Sequence, residues 1–321
     1  MNQSPGLHVR VARRTQLAED IIGLSLAPVA DTPLPPVTAG AHIDLTLPNG
    51  LVRQYSLAST DLREGYQIGI LLDPTSRGGS ASAHRDIAVG DTIRISAPRN
   101  HFPLVEGARQ SLLFAGGIGI TPMISMADTL DATGADFTLH YCVRSAGRAA
   151  FRERLRQAPY ATKTHFHIDD RADSPPLDAR AALAHPTADT HLYVCGPNGF
   201  LDHIISTARD MGWAETNIHF ERFSAPPTTA VDDGSFELAL AKSARTVHVN
   251  AGQSAAQALF AAGIALPMSC EQGLCGTCLT TVLDGEPDHR DMFLTDAEKA
   301  ANTCFTPCCS RARSARLVID L

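Results

Sequence analysis

Four cysteines near the C-terminal end constrain the fold of this chain more than any other feature. Cys270, Cys275 and Cys278 are spaced C-x4-C-x2-C, and the 29 residues 279–307 separate the third from Cys308. Glycines at 273 and 276 allow a tight loop whose backbone N–H groups turn toward the sulfurs. The pattern predicts that four thiolates meet at one metal centre.

Two kinds of metal centre use four cysteines. A structural zinc site is one, but zinc sites usually combine two close C-x2-4-C pairs. Here three cysteines share one loop and the fourth is distant, which is the spacing of a plant-type [2Fe–2S] centre. We therefore expect a cluster that carries single electrons. Cys309 and Cys304 are alternatives for the fourth ligand, and the spacing favours Cys308.

Composition limits the class of protein. With 321 residues, 44% of them hydrophobic, the chain can form two or three domains with real cores. Its net charge of -7 gives no basic footprint for nucleic acid. The N-terminal stretch lacks a signal-peptide core, and the apolar run 111–127 contains glycines and a proline, so we expect no membrane segment. The irregularly spaced cysteines outside the motif predict reduced thiols and a cytoplasmic location; they are Cys142, Cys195, Cys304 and Cys309.

Hydrophobic patterns predict a multidomain chain. Short β-rich stretches in residues 1–107 predict an antiparallel β-barrel. Buried-strand patterns alternating with helical stretches in residues 108–224 predict an α/β domain with a parallel sheet. A Pro-rich linker at 225–233 precedes residues 234–321, where a hairpin and a helix predict an α+β, ferredoxin-like (β-grasp) domain.

A glycine-rich turn follows the first strand of the predicted α/β domain, in FAGGIGITPM. We expect Thr121 to be the helix N-cap and Pro122 the first helical residue. Gly116 and Gly117 would let a pyrophosphate approach the backbone at this helix start. A plain strand-to-helix turn is the alternative, because isolated glycine-rich loops are weak evidence.

A second turn, Cys195-Gly196-Pro197, follows the strand THLYV at the carboxyl edge of the same predicted sheet. Ligands of open α/β sheets bind at that edge. Cys195 is therefore a candidate site residue beside the cofactor crevice, although the turn could simply reverse the chain.

Two motifs in the predicted barrel suit a flat, anionic cofactor. In RQYSL the strand alternation puts Arg53 and Tyr55 on one face and Ser56 on the other. The second motif supplies a cation, two open backbone positions and a hydroxyl, which suits a phosphate; it comprises Arg77, Gly78, Gly79 and Ser80. An ordinary exposed strand face and a loop tip are the alternatives.

The order of these motifs resembles a known family. R-x-Y-S, R-G-G-S, P-R-N-x-F at 98–102, G-G-I-G-I-T-P, C-G-P and the cysteine motif together resemble the phthalate dioxygenase reductase family, which includes vanillate O-demethylase reductases. The resemblance covers essentially the whole chain. It implies a flavin barrel that binds FMN rather than FAD, an NADH domain and a C-terminal ferredoxin.

The resemblance also implies roles for individual residues. Tyr55 would lie against the isoalloxazine and Ser56 near its reactive nitrogen, with Arg53 beside them. Cys195 would lie near the nicotinamide, and Phe223 would be the aromatic residue close to the flavin. The FMN phosphate would be held by Arg77, Gly78, Gly79 and Ser80, and the dinucleotide by Gly116, Gly117 and Thr121.

Nucleotide selectivity is a point of conflict. Arg144 ends the second strand of the predicted parallel sheet, where it could pair with a 2′-phosphate and favour NADPH. The resemblance implies NADH instead. In Rossmann folds, selectivity for NAD usually depends on an acidic residue at this position. We expect NADH although Arg144 stands here, because the predicted domain is not of the Rossmann type.

The expected function is that of a reductase. NADH would reduce FMN, and electrons would pass singly to the cluster and on to a terminal Rieske-type non-haem iron oxygenase or O-demethylase acting on aromatic compounds. A reductase for a cytochrome P450 and an iron–sulfur redox sensor are the alternatives. The two flavin motifs and the glycine-rich turn argue against a sensor, which needs no hydride donor.

Overall fold

The computed structural model describes residues 6–29, 33–74, 76–225 and 233–321. The chain divides into two compact units, residues 1–223 and 224–321. The predicted border between residues 107 and 108 falls inside the first unit and stays a prediction. So does the linker at 225–233, of which residues 226–232 lie outside the described part. Within the described ranges, no helix combines the length and apolar character that crossing a membrane requires.

The first unit begins with a six-stranded antiparallel sheet in the order β4-β3-β6-β1-β2-β5. An isolated bridge between Leu57 and Ile68 joins its two edges, so the predicted barrel is confirmed. Its interior is filled by alternating apolar side chains such as Val9, Val11 and Leu45. The elements are β1 (Leu7–Ala18), β2 (Ile21–Pro28), β3 (His42–Thr46), β4 (Val52–Ser56), β5 (Tyr66–Leu71), helix α1 (Gly79–Asp86) and β6 (Thr92–Ile95).

A parallel five-stranded sheet follows in the same unit, in the order β11-β10-β7-β8-β9. The strand order reverses between β7 and β10, which opens a crevice at their carboxyl ends. The elements are β7 (Gln110–Gly116), α2 (Ile120–Ala132), β8 (Asp136–Val143), α3 (Arg152–Gln157), β9 (Thr164–Ile168), α4 (Ala179–Ala182), β10 (Thr190–Gly196), α5 (Asn198–Asp210) and β11 (Ile218–Arg222).

The second unit contains a five-stranded mixed sheet in the order β13-β12-β18-β14-β16. The predicted hairpin and helix are confirmed: β12 and β13 pair antiparallel, and Ser254 and Gln257 form a capping box at the start of α6. The elements are β12 (Phe236–Leu240), β13 (Arg245–Val249), α6 (Ala255–Ala261), β14 (Thr280–Asp284), β15 (Pro287–Asp288), α7 (Asp296–Ala301), β16 (Cys304–Phe305), β17 (Arg311–Ala312) and β18 (Arg316–Ile319).

Candidate functional site

The glycine-rich turn lies at the crevice of the parallel sheet. After β7 a short 3-10 turn, Gly117–Gly119, leads directly into α2. The predicted N-cap at Thr121 is therefore wrong, because the helix has already begun at Ile120. Thr121 is buried, and its hydroxyl donates a hydrogen bond to the Ile118 carbonyl at 3.0 Å. Gly117 has φ +54, a left-handed conformation that favours glycine.

Two glycines bring this turn close to the Cys-Gly-Pro turn. A β-carbon on Gly119 would collide with the Cys195 carbonyl group. A β-carbon on Gly116 would lie 2.9 Å from both Phe200 and Pro197, closer than non-bonded carbons pack. Gly119 therefore serves the packing of the two turns, a role that sequence spacing does not reveal.

Three polar side chains meet where the barrel adjoins the carboxyl edge of the parallel sheet. Cys195 in β10 is fully buried and aligned with Glu221 in β11. Ser56, at the end of β4, donates a hydrogen bond from Oγ to Glu221 Oε2 at 3.3 Å. The structure thus brings the two expected catalytic residues, Ser56 and Cys195, to a common carboxyl group.

Burial sets the protonation of this group of side chains. Burial raises the pKa of Glu221 to about 7, and the Ser56 hydrogen bond acts in the opposite direction. Burial, followed by the nearby Glu221, raises the pKa of the Cys195 thiol well above its usual value. Cys195 is therefore a neutral thiol at physiological pH, and Glu221 titrates near neutrality.

Sequence reasoning missed Glu221. The available signal was an acidic residue inside the last strand of a parallel sheet, two positions before the aromatic residue at 223. Acidic residues in such strands are seldom buried without a purpose.

The two flavin motifs of the barrel lie against each other. A β-carbon on Gly79 would approach Arg53 Nε at 2.9 Å and Cγ at 3.0 Å, so glycine lets the arginine lie over the start of α1. Gly78 has φ +92, and Gly79 and Ser80 form the first turn of that helix. A helix start beside an arginine is a suitable phosphate site. Exposed Arg77 directly precedes it.

Tyr55 lies half-buried against the barrel core. Burial raises the pKa of its phenol to about 12, so the ring stays uncharged. Phe223 follows the end of β11 and is exposed. Both are aromatic surfaces on which a flat ring system can stack.

Arg144 is exposed directly after β8. Two carboxylates follow the adjacent strand β9. The backbone N–H of Asp169 donates to the Val143 carbonyl at 3.1 Å, and Asp170 Oδ1 accepts a hydrogen bond from the Ala146 N–H at 3.2 Å. The position expected to attract a 2′-phosphate is therefore flanked by acidic residues, whose negative charge repels a phosphate.

The cysteine loop has the expected backbone geometry. Cys270 Sγ accepts hydrogen bonds from the N–H groups of Gln272 and Leu274, both at 3.4 Å. Gly273 and Gly276 have φ +72 and +66, so glycine is needed at both positions. The loop turns its N–H groups toward the sulfurs, as the sequence predicts.

The thiols at this site interact in two groups. Cys270 interacts with Cys275, and Cys308 interacts with both Cys278 and Cys309. Nowhere in the described residues do three or more His, Cys, Asp or Glu side chains surround one ion position. Cys270 with Cys275, and Cys278 with Cys308, would supply two thiolates to each of two irons, so the donor set fits a [2Fe–2S] cluster. Cys304 lies in β16, opposite Thr281.

Comparisons with known proteins agree with this geometry. The family of 2Fe-2S iron-sulfur cluster binding domains matches residues 238–313, and the family of oxidoreductase NAD-binding domains matches residues 113–205. The vanillate O-demethylase oxidoreductase of Pseudomonas sp. strain HR199 is 53% identical over 98% of this chain and 100% of its own length.

Solved structures are similar over nearly the whole chain. Phthalate dioxygenase reductase superposes with a TM-score of 0.79 and 37% identity, covering 98% of each chain. An intact type IV self-sufficient cytochrome P450 monooxygenase gives a TM-score of 0.82 at 37% identity, where this chain spans 41% of that protein.

The fold and the site define an NADH-dependent flavin iron–sulfur oxidoreductase, in which electrons pass from NADH through FMN to a [2Fe–2S] cluster. The matching domain family decides between the cluster and zinc. The chain belongs to the family of the vanillate O-demethylase oxidoreductases and phthalate dioxygenase reductase. The resemblance inferred from the sequence motifs is confirmed.

Proposed function

We propose that this protein is the reductase component of a Rieske-type non-haem iron oxygenase or O-demethylase, and that it delivers electrons singly to a separate terminal oxygenase. The observation that carries the proposal is the meeting of Ser56, Cys195 and Glu221, which brings the flavin barrel and the nucleotide sheet to one point. Relatives named for vanillate O-demethylation and phthalate dioxygenation support the class of partner.

The barrel residues would hold FMN, which when bound accepts a hydride and releases its electrons one at a time. Tyr55 and Phe223 offer aromatic faces to its ring system. The phosphate would be bound by Arg53, Arg77, Gly78, Gly79 and Ser80, through the guanidinium groups and the first N–H groups of α1.

Ser56 and Cys195 would act where the hydride is transferred. The Ser56 hydroxyl donates its proton in a hydrogen bond to Glu221, so it can present a lone pair in one defined direction. The Cys195 thiol is neutral and buried, and it would exclude water from the nicotinamide position. Glu221 is a positioning residue for Ser56.

The crevice between β7 and β10 would bind NADH. Gly116, Gly117 and Thr121 border it at the start of α2. Arg144 would lie beside the adenosine ribose. The neighbouring carboxylates of Asp169 and Asp170 support preference for NADH, because a 2′-phosphate there would meet negative charge.

The cluster ligands would be Cys270, Cys275, Cys278 and Cys308. The pairing of their thiols and the N–H groups aimed at Cys270 support this set. None of the cysteines in the described residues forms a disulfide, which supports a reducing, cytoplasmic location.

A reductase for a cytochrome P450 is the second candidate function. The specific observation in its favour is the similarity to a reductase-sized part of the self-sufficient P450 monooxygenase, at a TM-score of 0.82. A P450 also takes its electrons one at a time, so the same cofactors would serve it.

Reconstitution with a terminal oxygenase distinguishes the two candidate functions. The purified protein is combined with NADH, vanillate and either a Rieske-type demethylase or a P450 demethylase, and the demethylated product is measured. The proposal expects turnover with the Rieske-type partner that far exceeds turnover with the P450. The reverse order would refute it.

A further inference from the structure

Cys309 is a fifth thiol at the cluster site, and the ligand set proposed above gives it no role. It follows Cys308 directly in the turn at residues 307–309. In a strand, neighbouring side chains point to opposite faces. A turn lifts that restriction, so both thiols can face the cysteine loop.

The contacts of Cys309 place it inside the site. Its Sγ lies so close to Gly273 that a β-carbon there would collide with the sulfur. Gly273 stands between Cys270 and Cys275, flanked by the two N–H groups that point at Cys270 Sγ. Cys309 therefore lies against the centre of the loop that holds two of the proposed ligands.

Cys309 also interacts with its neighbour Cys308, which in turn interacts with Cys278. Thr306 Oγ1 is 3.3 Å from Cys309 Sγ, and Ser310 Oγ is 3.9 Å from it. Thr306 and Ser310 are fully buried. The sulfur is thus held by ordered neighbours close to the position that Cys308 occupies.

We propose that Cys309 is an interchangeable ligand for the iron that Cys278 and Cys308 would share. In the exchange the Cys309 thiol would give up its proton and serve as the thiolate ligand, while the Cys308 thiolate would be released and take up a proton. No electron is gained or lost, so the exchange needs no additional reactant. The cluster would survive loss of the Cys308 thiolate.

The inference rests on the ligand set proposed above, and one experiment tests both. Full-length variants Cys308→Ala, Cys309→Ala, Cys308→Ala/Cys309→Ala and Cys275→Ala are purified, with Cys304→Ala as the matched control. Iron per FMN is measured together with the visible and EPR spectra of the cluster. FMN serves as the internal standard because it belongs to the other unit of the chain.

We expect Cys308→Ala to keep at least half of the wild-type iron with altered cluster spectra, and the double variant to lose nearly all of it. Cys309→Ala and Cys304→Ala should resemble the wild type. Cys308→Ser is measured in parallel: exchange predicts that it has the same spectra as Cys308→Ala, because Cys309 supplies the thiolate in both.

Three results would overturn the inference. Loss of iron from Cys308→Ala as complete as in the double variant would show that Cys309 cannot replace Cys308. Retention of iron in Cys308→Ser but not in Cys308→Ala would assign the fourth ligand to the serine oxygen. Loss of iron from Cys309→Ala would make Cys309 the primary ligand. A full cluster in Cys275→Ala would instead refute the ligand set, and the inference with it.

Discussion

Replacing Glu221 with glutamine tests whether the carboxyl group that holds Ser56 is withdrawn from water, although the residue as a whole is only partly buried. Glutamine has the shape of the protonated acid and can still accept the Ser56 hydrogen bond, but it cannot ionise. Any difference between Glu221→Gln and the wild type that changes with pH therefore reports the ionisation of this one group.

The sign and size of the stability difference between Glu221→Gln and the wild type follow from the raised pKa of Glu221. The folded protein holds the Glu221 proton up to a pKa of about 7, whereas the ordinary pKa of a glutamate side chain is 4.5. The wild type therefore loses stability as pH rises through 7, and the variant does not. Linkage over this pKa difference gives a relative stabilisation of Glu221→Gln of about 1 kcal/mol at pH 5 and about 3 kcal/mol at pH 8.

Thermal unfolding of the FMN-loaded proteins at pH 5 and pH 8, followed by the fluorescence of released flavin, measures this difference. The variant's stabilisation relative to the wild type is about 2 kcal/mol larger at pH 8 than at pH 5. The Tm difference between the two proteins should therefore be about 4–8 °C larger at pH 8 than at pH 5. A Tm difference that is the same at both pH values would refute the burial of an ionisable Glu221. Asp173→Asn, at an exposed carboxylate, is the control and should show no such trend.

Further predictions concern the flavin, the nucleotide and the packing of the crevice. Ser56→Ala should slow flavin reduction by NADH about tenfold, as loss of one hydrogen bond would, and should raise the apparent pKa of Glu221. A pH profile of stopped-flow rates measures both effects, and an unchanged profile would contradict the hydrogen bond between Ser56 and Glu221. Asp170→Asn should increase the NADPH/NADH ratio of kcat/KM about tenfold by removing one repulsive charge, which steady-state ferricyanide reduction checks against Asp173→Asn. Gly119→Val should destabilise the first unit by about 1–3 kcal/mol through overpacking, measured by urea unfolding; wild-type stability would rule out the close approach. A chain ending at residue 225 should reduce ferricyanide with NADH but lose most cytochrome c reduction, and loss of FMN would show that the second unit helps to build the flavin site.

Local patterns were sufficient to predict the sheets and the cysteine loop. The strand THLYVCG is a continuous apolar run because β10 is buried on both faces of a parallel sheet. Gly273 and Gly276 could be assigned to a tight loop because their spacing between cysteines leaves few other backbone paths. In both cases the deciding interactions lie within a short stretch of sequence.

The features that sequence reasoning missed depend on contacts between distant residues. Glu221 is 165 positions from its partner Ser56, and no local pattern links the two. The collision that excludes a side chain at Gly119 involves Cys195, which is also distant in sequence. The helix α2 begins before Thr121 because the 3-10 turn leads directly into it, and the Gly117 carbonyl accepts a hydrogen bond from the Ile120 N–H at the junction.

We propose that electrons from NADH reach external acceptors through the flavin and then the cluster. Anaerobic mixing of NADH with the wild type and with Cys275→Ala, followed by flavin absorbance, cluster EPR and cytochrome c reduction, tests this order of electron transfer. We expect equal rates of flavin bleaching in both proteins. Only the wild type should develop the EPR signal of a reduced [2Fe–2S] cluster and reduce cytochrome c rapidly. Undiminished cytochrome c reduction by the cluster-free variant would contradict the proposed order of electron transfer.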